Sequence, residues 1–176
     1  MYKIFVVLVL FCLLSRSLVD AGSFSQSTPD HVKEIERVVK PIREAFAKRH
    51  GLHISGVGGA MMTAVESVTC WFESSDPRSI GEARKLHVEL VNELLAAINR
   101  DEALRPHLKS YPFMPSNIKA KISYILPSGH WVAQGDGVAA TISVNDTILY
   151  LQADRESDEI ETRFTESFAE ASSKVK

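Results

Sequence analysis

Cysteine is scarce. The 176-residue chain carries two, Cys12 and Cys70. Cys12 lies in an apolar N-terminal run, so beyond that run Cys70 stands alone and no internal disulfide can staple the fold. An excess of one charge is lacking too: 20 Lys and Arg stand against 22 Asp and Glu, a net of −2. A general nucleic-acid binder needs clustered Lys and Arg to meet phosphates, and this balance argues against one. Internal repeats and low-complexity segments are missing, and the only long unbroken apolar run is residues 4–14.

Signatures of chemistry are also missing. The glycines Gly56, Gly58 and Gly59 invite comparison with phosphate-cradling loops, but Gly59 is followed by Ala60 and Met61 rather than by Lys and a hydroxyl residue. A dinucleotide fingerprint begun at Gly56 would need a small residue where Met61 stands. The cluster therefore reads as a turn feeding a strand, with glycine backbone freedom serving close approach and Met61 and Met62 filling a gap. No His-Glu-x-x-His run offers zinc ligands, and His50 and His53 straddle Gly51. No Gly-x-Ser-x-Gly elbow is present. Asp101-Glu102 and the carboxylates of 154–161 read as helix-end and solvated charges. No metal and no cofactor is expected.

The apolar run is an address. Residues 1–21 combine Lys3, an apolar core too short to span a bilayer comfortably, and small or short residues at Val19-Asp20-Ala21, which is the pattern of a cleaved signal peptide. Export to a periplasmic or secreted location is expected, with no transmembrane helix left after cleavage. Removing Lys3, Arg16 and Asp20, together +1, changes the net from −2 to −3. Residues 22–27 form a polar, flexible leader, and 28–176 have the length of one domain with one core.

Periodicity divides that domain. Thr28 and Pro29 suit a helix start, and Val32, Ile35, Val38, Val39, Ile42 and Phe46 recur at helical spacing, with Pro41 expected to kink or split the helix. Ser79 and Glu82 have capping-box spacing ahead of an apolar stripe through Ala83, Leu86, Leu90, Val91, Leu94 and Ile98, with Lys85, Glu89, Glu93 and Asn99 in water and His87 half-buried beside it. Ile160, Phe164 and Phe168, four apart, predict a third helix capped by Ser157. Strands are predicted at 65–72, 118–126, 138–144 and 147–153. A turn at Asn145-Asp146 pairs Val144 with Thr147, Ile142 with Leu149 and Ala140 with Leu151. This places their apolar side chains toward the core and Thr141, Ser143, Ile148, Tyr150 and Gln152 outward. The expected fold is α+β: two layers, an antiparallel sheet of about four or five strands covered by about three helices.

Three features remain for function. Cys70, in a strand, could be a thiol nucleophile assisted by His50, His53 or His130, although a lone strand cysteine is more often a small buried hydrophobe. The connector 105–118, "RPHLKSYPFMPSNI", is stiffened by Pro106, Pro112 and Pro115 and unusually apolar. Its side chains either fold back on the core or offer Tyr111 and Phe113 to a partner. Trp131, in the loop 127–137, is a binding anchor if exposed. The run from Arg84 through "RPHLKSYPF" and "NIKAKISY", about a third of the chain, resembles small exported bacterial proteins of unknown function. These carry an Arg-Pro-x-Leu-x-x-Tyr-Pro-Phe segment, here Arg105, Pro106, Leu108, Tyr111, Pro112 and Phe113. The resemblance implies a bacterial, exported origin and a helix-loop-strand order, and it assigns no activity. Together these readings predict an exported, non-enzymatic binding or interaction protein for an unknown protein or envelope ligand, using Tyr111, Phe113 and Trp131. The alternative is a small secreted thiol-dependent hydrolase built on Cys70. A homo-oligomer joined through Ile148 and Tyr150 is a third possibility.

Overall fold

A computed structural model describes residues 28–175. The signal-peptide and leader expectations for 1–27 lie outside them. The order is α1 (Asp30–His50), β1 (His53–Ala60), β2 (Ser67–Ser74), α2 (Ile80–Arg100), β3 (Ile118–Tyr124), β4 (Ala140–Val144), β5 (Thr147–Ala153), β6 (Ile160–Ser167) and α3 (Phe168–Ser173), with single 3-10 turns at Arg105–His107 and Pro115–Asn117. The strands make one sheet in chain order, β1 to β6. Every neighbouring pair is antiparallel except β2–β3, which α2 joins as a crossover. The α+β class and the helix count agree with expectation, and the sheet has six strands rather than four or five. Among the described residues no helix is long and apolar enough to cross a membrane.

The long helix α2 forms as its sequence dictates. Ser79 accepts from the Glu82 backbone while Glu82 reaches back to Ser79, which closes the capping box. All six residues of its apolar stripe are buried. Asn99 is not in water: its Nδ2 donates to the Phe113 carbonyl at 2.9 Å and its Oδ1 accepts from the Phe113 N–H at 2.7 Å, pinning the connector. Helix α1 begins at Asp30 with Pro29, not Thr28, at the cap and no side-chain cap bond. Pro41 neither splits nor ends it; the residue is exposed, so the carbonyl it leaves unpaired one turn earlier can face water.

Three expectations fail, each for a physical reason. The glycine-rich stretch is itself a strand, the edge strand β1, paired to β2 from His53↔Glu73 to Ala60↔Ser67. The third helix is displaced: residues 160–167 are strand β6, and helix α3 starts only at Phe168, capped by Ser167 rather than Ser157. A four-residue spacing is two strand periods as well as roughly one helical turn, so Ile160 and Phe164 fit either pattern. The hairpin has the expected register, Val144↔Thr147, Ile142↔Leu149 and Ala140↔Leu151, but the opposite face turns inward. Ile148 and Tyr150 lie under the helices at 1% and 0% exposure, which removes them as an oligomer contact. What reverses the face is polar satisfaction. His87 of α2 is fully buried with Nδ1 2.9 Å from Thr141 Oγ1 and Nε2 2.7 Å from Ser143 Oγ. The Tyr150 hydroxyl donates to Glu166 at 2.7 Å. Polar groups that find partners can be buried at little cost.

One row of opposite residues marks each side of the sheet. Ile54, Phe72, Ile122, Thr141, Tyr150 and Phe164 face the helices. Gly56, Trp71, Lys121, Ile142, Leu149 and Thr165 face away from them. No helix of the described chain covers this second face.

Candidate functional site

The uncovered face carries the chain's only two tryptophans. Trp71 projects from β2 between the buried Cys70 and Phe72 and is 46% exposed. Its ring lies over Gly56 of the neighbouring strand, where an added Cβ would come within 2.6 Å of Trp71 Cε3. Gly56 therefore supplies a flat floor for an indole. Lys121, directly opposite Trp71 on β3, holds its Nζ 5.9 Å from the centroid of that ring. Trp131 reaches the same ammonium from the other end, at 5.8 Å. It is positioned by a bridge to Ile125 and by its backbone N–H, which donates to Asp158 Oδ1 at 3.3 Å. Lys121 is thus set between two indoles. It has no carboxylate within ion-pair distance among the described residues, and neither does Lys119 on the same face. An exposed cation–π contact is worth about 0.5–1 kcal/mol, enough to orient a lysine but not to neutralise its charge.

The residues expected to form a binding surface are not brought together. Trp131 is half-buried on the outer face. Tyr111 is 48% exposed in the connector, stacked under Arg105 with the guanidinium 4.4 Å from its ring, and that connector runs beside Val65, two residues before β2. Phe113 is not on the surface at all: it is 1% exposed, clamped by Asn99, and belongs to the core. The connector divides accordingly, Phe113 and Leu108 folding back while Tyr111 and Met114 stay out. Trp71 and Lys121 are not among the residues expected at a site. Their signal was alternation: with Val68, Cys70 and Phe72 inward, Trp71 must point outward, and Lys119 and Lys121 do the same on β3.

Cys70 is 0% exposed. Burial pushes its thiol up to about 11, only partly offset by the Arg43 guanidinium above it. A thiolate nucleophile needs the reverse shift and an open approach.

Two other polar groupings lie on the helical side of the fold. A cleft of about 240 Å³ lies between the end of α1 and the start of α2, lined by His50, Arg78, Glu82, Lys85, Leu86 and Glu89. Its acids are already engaged: Glu82 caps α2, and Glu89 accepts from Arg49 at 3.1 Å and faces His50 Nε2 at 3.0 Å. The second grouping surrounds Glu166, whose carboxylate accepts from Arg84 at 2.6 Å, Lys174 at 2.6 Å and Tyr150 at 2.7 Å. Burial alone would raise this carboxyl, but the bonds from Lys174, Tyr150 and Arg84 outweigh it and hold it below the usual carboxylate range. Burial and the Glu166 contact push the Tyr150 hydroxyl up. An ionised carboxylate beside a phenol that keeps its proton is a clamp, not an acid–base pair.

No family model, no curated protein and no solved structure matches the chain.

Proposed function

We propose that the chain is an exported, non-enzymatic binding or interaction protein, and that it takes an anionic envelope component on the outer sheet face at Trp71, Lys121 and Trp131. The observation that carries this reading is the pairing of one uncompensated ammonium with two indoles on a face that no helix covers. Large aromatics gain by burial, and two of them gathered with a free ammonium on one uncovered face make a patch that a partner can cover. Glu73 shares this face and Asp158 lies beside Trp131, but Lys121 has no ion-pair partner among the described residues, and its free ammonium between the indoles suits a carboxylate- or phosphate-bearing partner.

Both tryptophans belong to this surface, so intrinsic fluorescence reads it without a label. Titration with solubilised peptidoglycan fragments, and separately with vesicles containing anionic lipid, is expected to change tryptophan emission saturably. Lys121→Glu should weaken the response about tenfold while leaving the fold intact, since reversing the one charge at the centre of the contact costs on the order of 1–2 kcal/mol. Emission that stays flat with both probes, or a titration that Lys121→Glu leaves unchanged, overturns the reading.

A further inference from the structure

We propose that the outer-face site extends past Trp71 to Gly58 and takes a linear acidic glycan, a sugar chain bearing carboxylates, laid flat over β1, β2 and β3. This inference rests on the outer-face reading and names the ligand class that the face fits. Gly56, Trp71 and Lys121 are one row of that face, and the next row along the same strands is Gly58, Thr69 and Lys119. Lys119 is exposed and stands two residues from Lys121 on β3, so the two side chains leave the same face of one strand about 7 Å apart. Neither ammonium has a carboxylate within ion-pair distance among the described residues.

Gly58 is the residue that extends the site. A glycine inside a strand weakens it, and it often marks a place where a ligand approaches the backbone closely. Gly56 and Gly59 have reasons within the chain: Trp71 lies over the first, and the Ser67 carbonyl crowds the second. Gly58 has none, since nothing lies within 4 Å of the position its Cβ would take and its φ is not in the left-handed region. That Cβ would rise from the outer face beside Thr69, one row from the Trp71 indole. Its absence leaves a bare, flat step of backbone next to an aromatic ring, and a sugar ring can lie on such a step.

The chemistry of an acidic glycan matches this face point by point. A pyranose ring offers an apolar C–H face to an indole, hydroxyls at its rim to Thr69 and water, and carboxylates along the chain to Lys121 and Lys119 in turn. Other occupants match it less well. A polypeptide laid on the face of a sheet leaves its own N–H and C=O groups unpaired, because those of the strands are spent within the sheet. A bilayer presents a plane of negative charge, which meets Glu73 on this face and Asp158 beside Trp131 as well as the lysines. Trp71 also rises from the middle of a strand, where it cannot sink between lipids. A nucleic acid needs more cations than these two.

Titration of the purified protein with a short oligogalacturonate is expected to change tryptophan emission saturably. The same oligosaccharide with its carboxyls reduced to alcohols should bind about tenfold more weakly, and vesicles containing anionic lipid should bind more weakly than the acid form. The discriminating variant is Gly58→Ile. Its side chain enters space that is empty in the free protein, on a strand that favours β-branched residues, so the urea midpoint should stay or rise. It also fills the step, so affinity for the oligogalacturonate should fall about tenfold. Lys119→Gln, on an exposed position, should weaken binding several-fold and lower its salt dependence. Emission that stays flat with oligogalacturonate, equal affinity for the reduced sugar, tighter binding to vesicles, or full affinity in both Gly58→Ile and Lys119→Gln would each overturn the inference. A response to vesicles or peptidoglycan fragments that Lys121→Glu abolishes and Gly58→Ile spares would sink the glycan assignment and leave the broader outer-face reading standing.

Discussion

At Gly59 the chain has no room for a methyl group, because a Cβ there would fall on the Ser67 carbonyl, which is backbone and cannot turn aside. One residue earlier, at Gly58, the space is open. Gly59→Ala is therefore expected to destabilise the monomer by about 1–3 kcal/mol, the range of a forced overpacking, while Gly58→Ala changes it by about 0.5 kcal/mol or less. Urea midpoints of the two variants at low protein concentration separate them, and equal midpoints would mean that the close approach to Ser67 does not hold β1 in place. Cys70 gives a second residue-scale prediction. With the side chain fully buried and the thiol raised to about 11, Cys70 should react with a thiol reagent only as fast as the protein opens. Rapid labelling of Cys70 in native buffer would revive the nucleophile reading. The burial of Cys70 was legible in the sequence from its place between outward Thr69 and Trp71. The exposure of Trp71 was legible by the same alternation but runs against the preference of indoles for cover, so it needs the glycine floor at Gly56 to make sense.

Element α3 is only six residues long, too short to hold itself together. It is capped by Ser167 and Glu170 and tied down by Lys174 reaching Glu166, which also binds Arg84 of α2 and Tyr150 of β5. Glu166→Ala leaves Arg84 and the Tyr150 hydroxyl without their acceptor in a site only 5% exposed. The cost is expected to be about 3 kcal/mol, as for one partner taken from a buried ion pair. Amide exchange should accelerate most in 168–173. A variant with the stability of the unmutated protein would show that Glu166 is a passive neighbour. The C-terminal elements were also the least legible part of the sequence. Four-residue spacing is shared by strand and helix, and Ser157 and Ser167 are both reasonable caps. The turn at Asn145-Asp146, where Asn145 adopts a φ of 53°, fixed the β4–β5 register correctly. Which face turned inward was decided at long range, by His87 offering partners to Thr141 and Ser143, and no local pattern carries that information. Helix α2 was legible throughout its stripe because its cap and its period agree.

For the whole molecule the consequence is a layered fold whose polar groups are concentrated where α2 meets the sheet. His87 and Arg84 stand one turn apart on α2 and hold, respectively, the β4 hydroxyls and Glu166. Both contacts weaken in acid, and in sequence. Burial lowers the His87 imidazole from 6.5 to about 4, so the folded state keeps it neutral while the unfolded chain takes up a proton at higher pH. A group depressed on folding contributes its stability fully above the unfolded value and loses it as pH falls toward the folded one. At about 1.4 kcal/mol per pH unit, the interval from 6.5 to about 4 amounts to roughly 3 kcal/mol. Glu166 is likewise held below its ordinary value, so its contribution is present above the unfolded carboxylate range and is lost only as pH falls through and below it. The urea midpoint of the protein should therefore begin to fall below about pH 6.5, above the carboxylate range, with the loss at Glu166 joining it as the pH enters that range. His87→Leu should be less stable near neutrality, since it strands two hydroxyls, yet flatter across that interval because it has no proton to take up. If the two proteins lose stability in parallel from 6.5 downward, the imidazole is not the group that senses acid, and the seam between α2 and the sheet tolerates a charge that its burial should forbid.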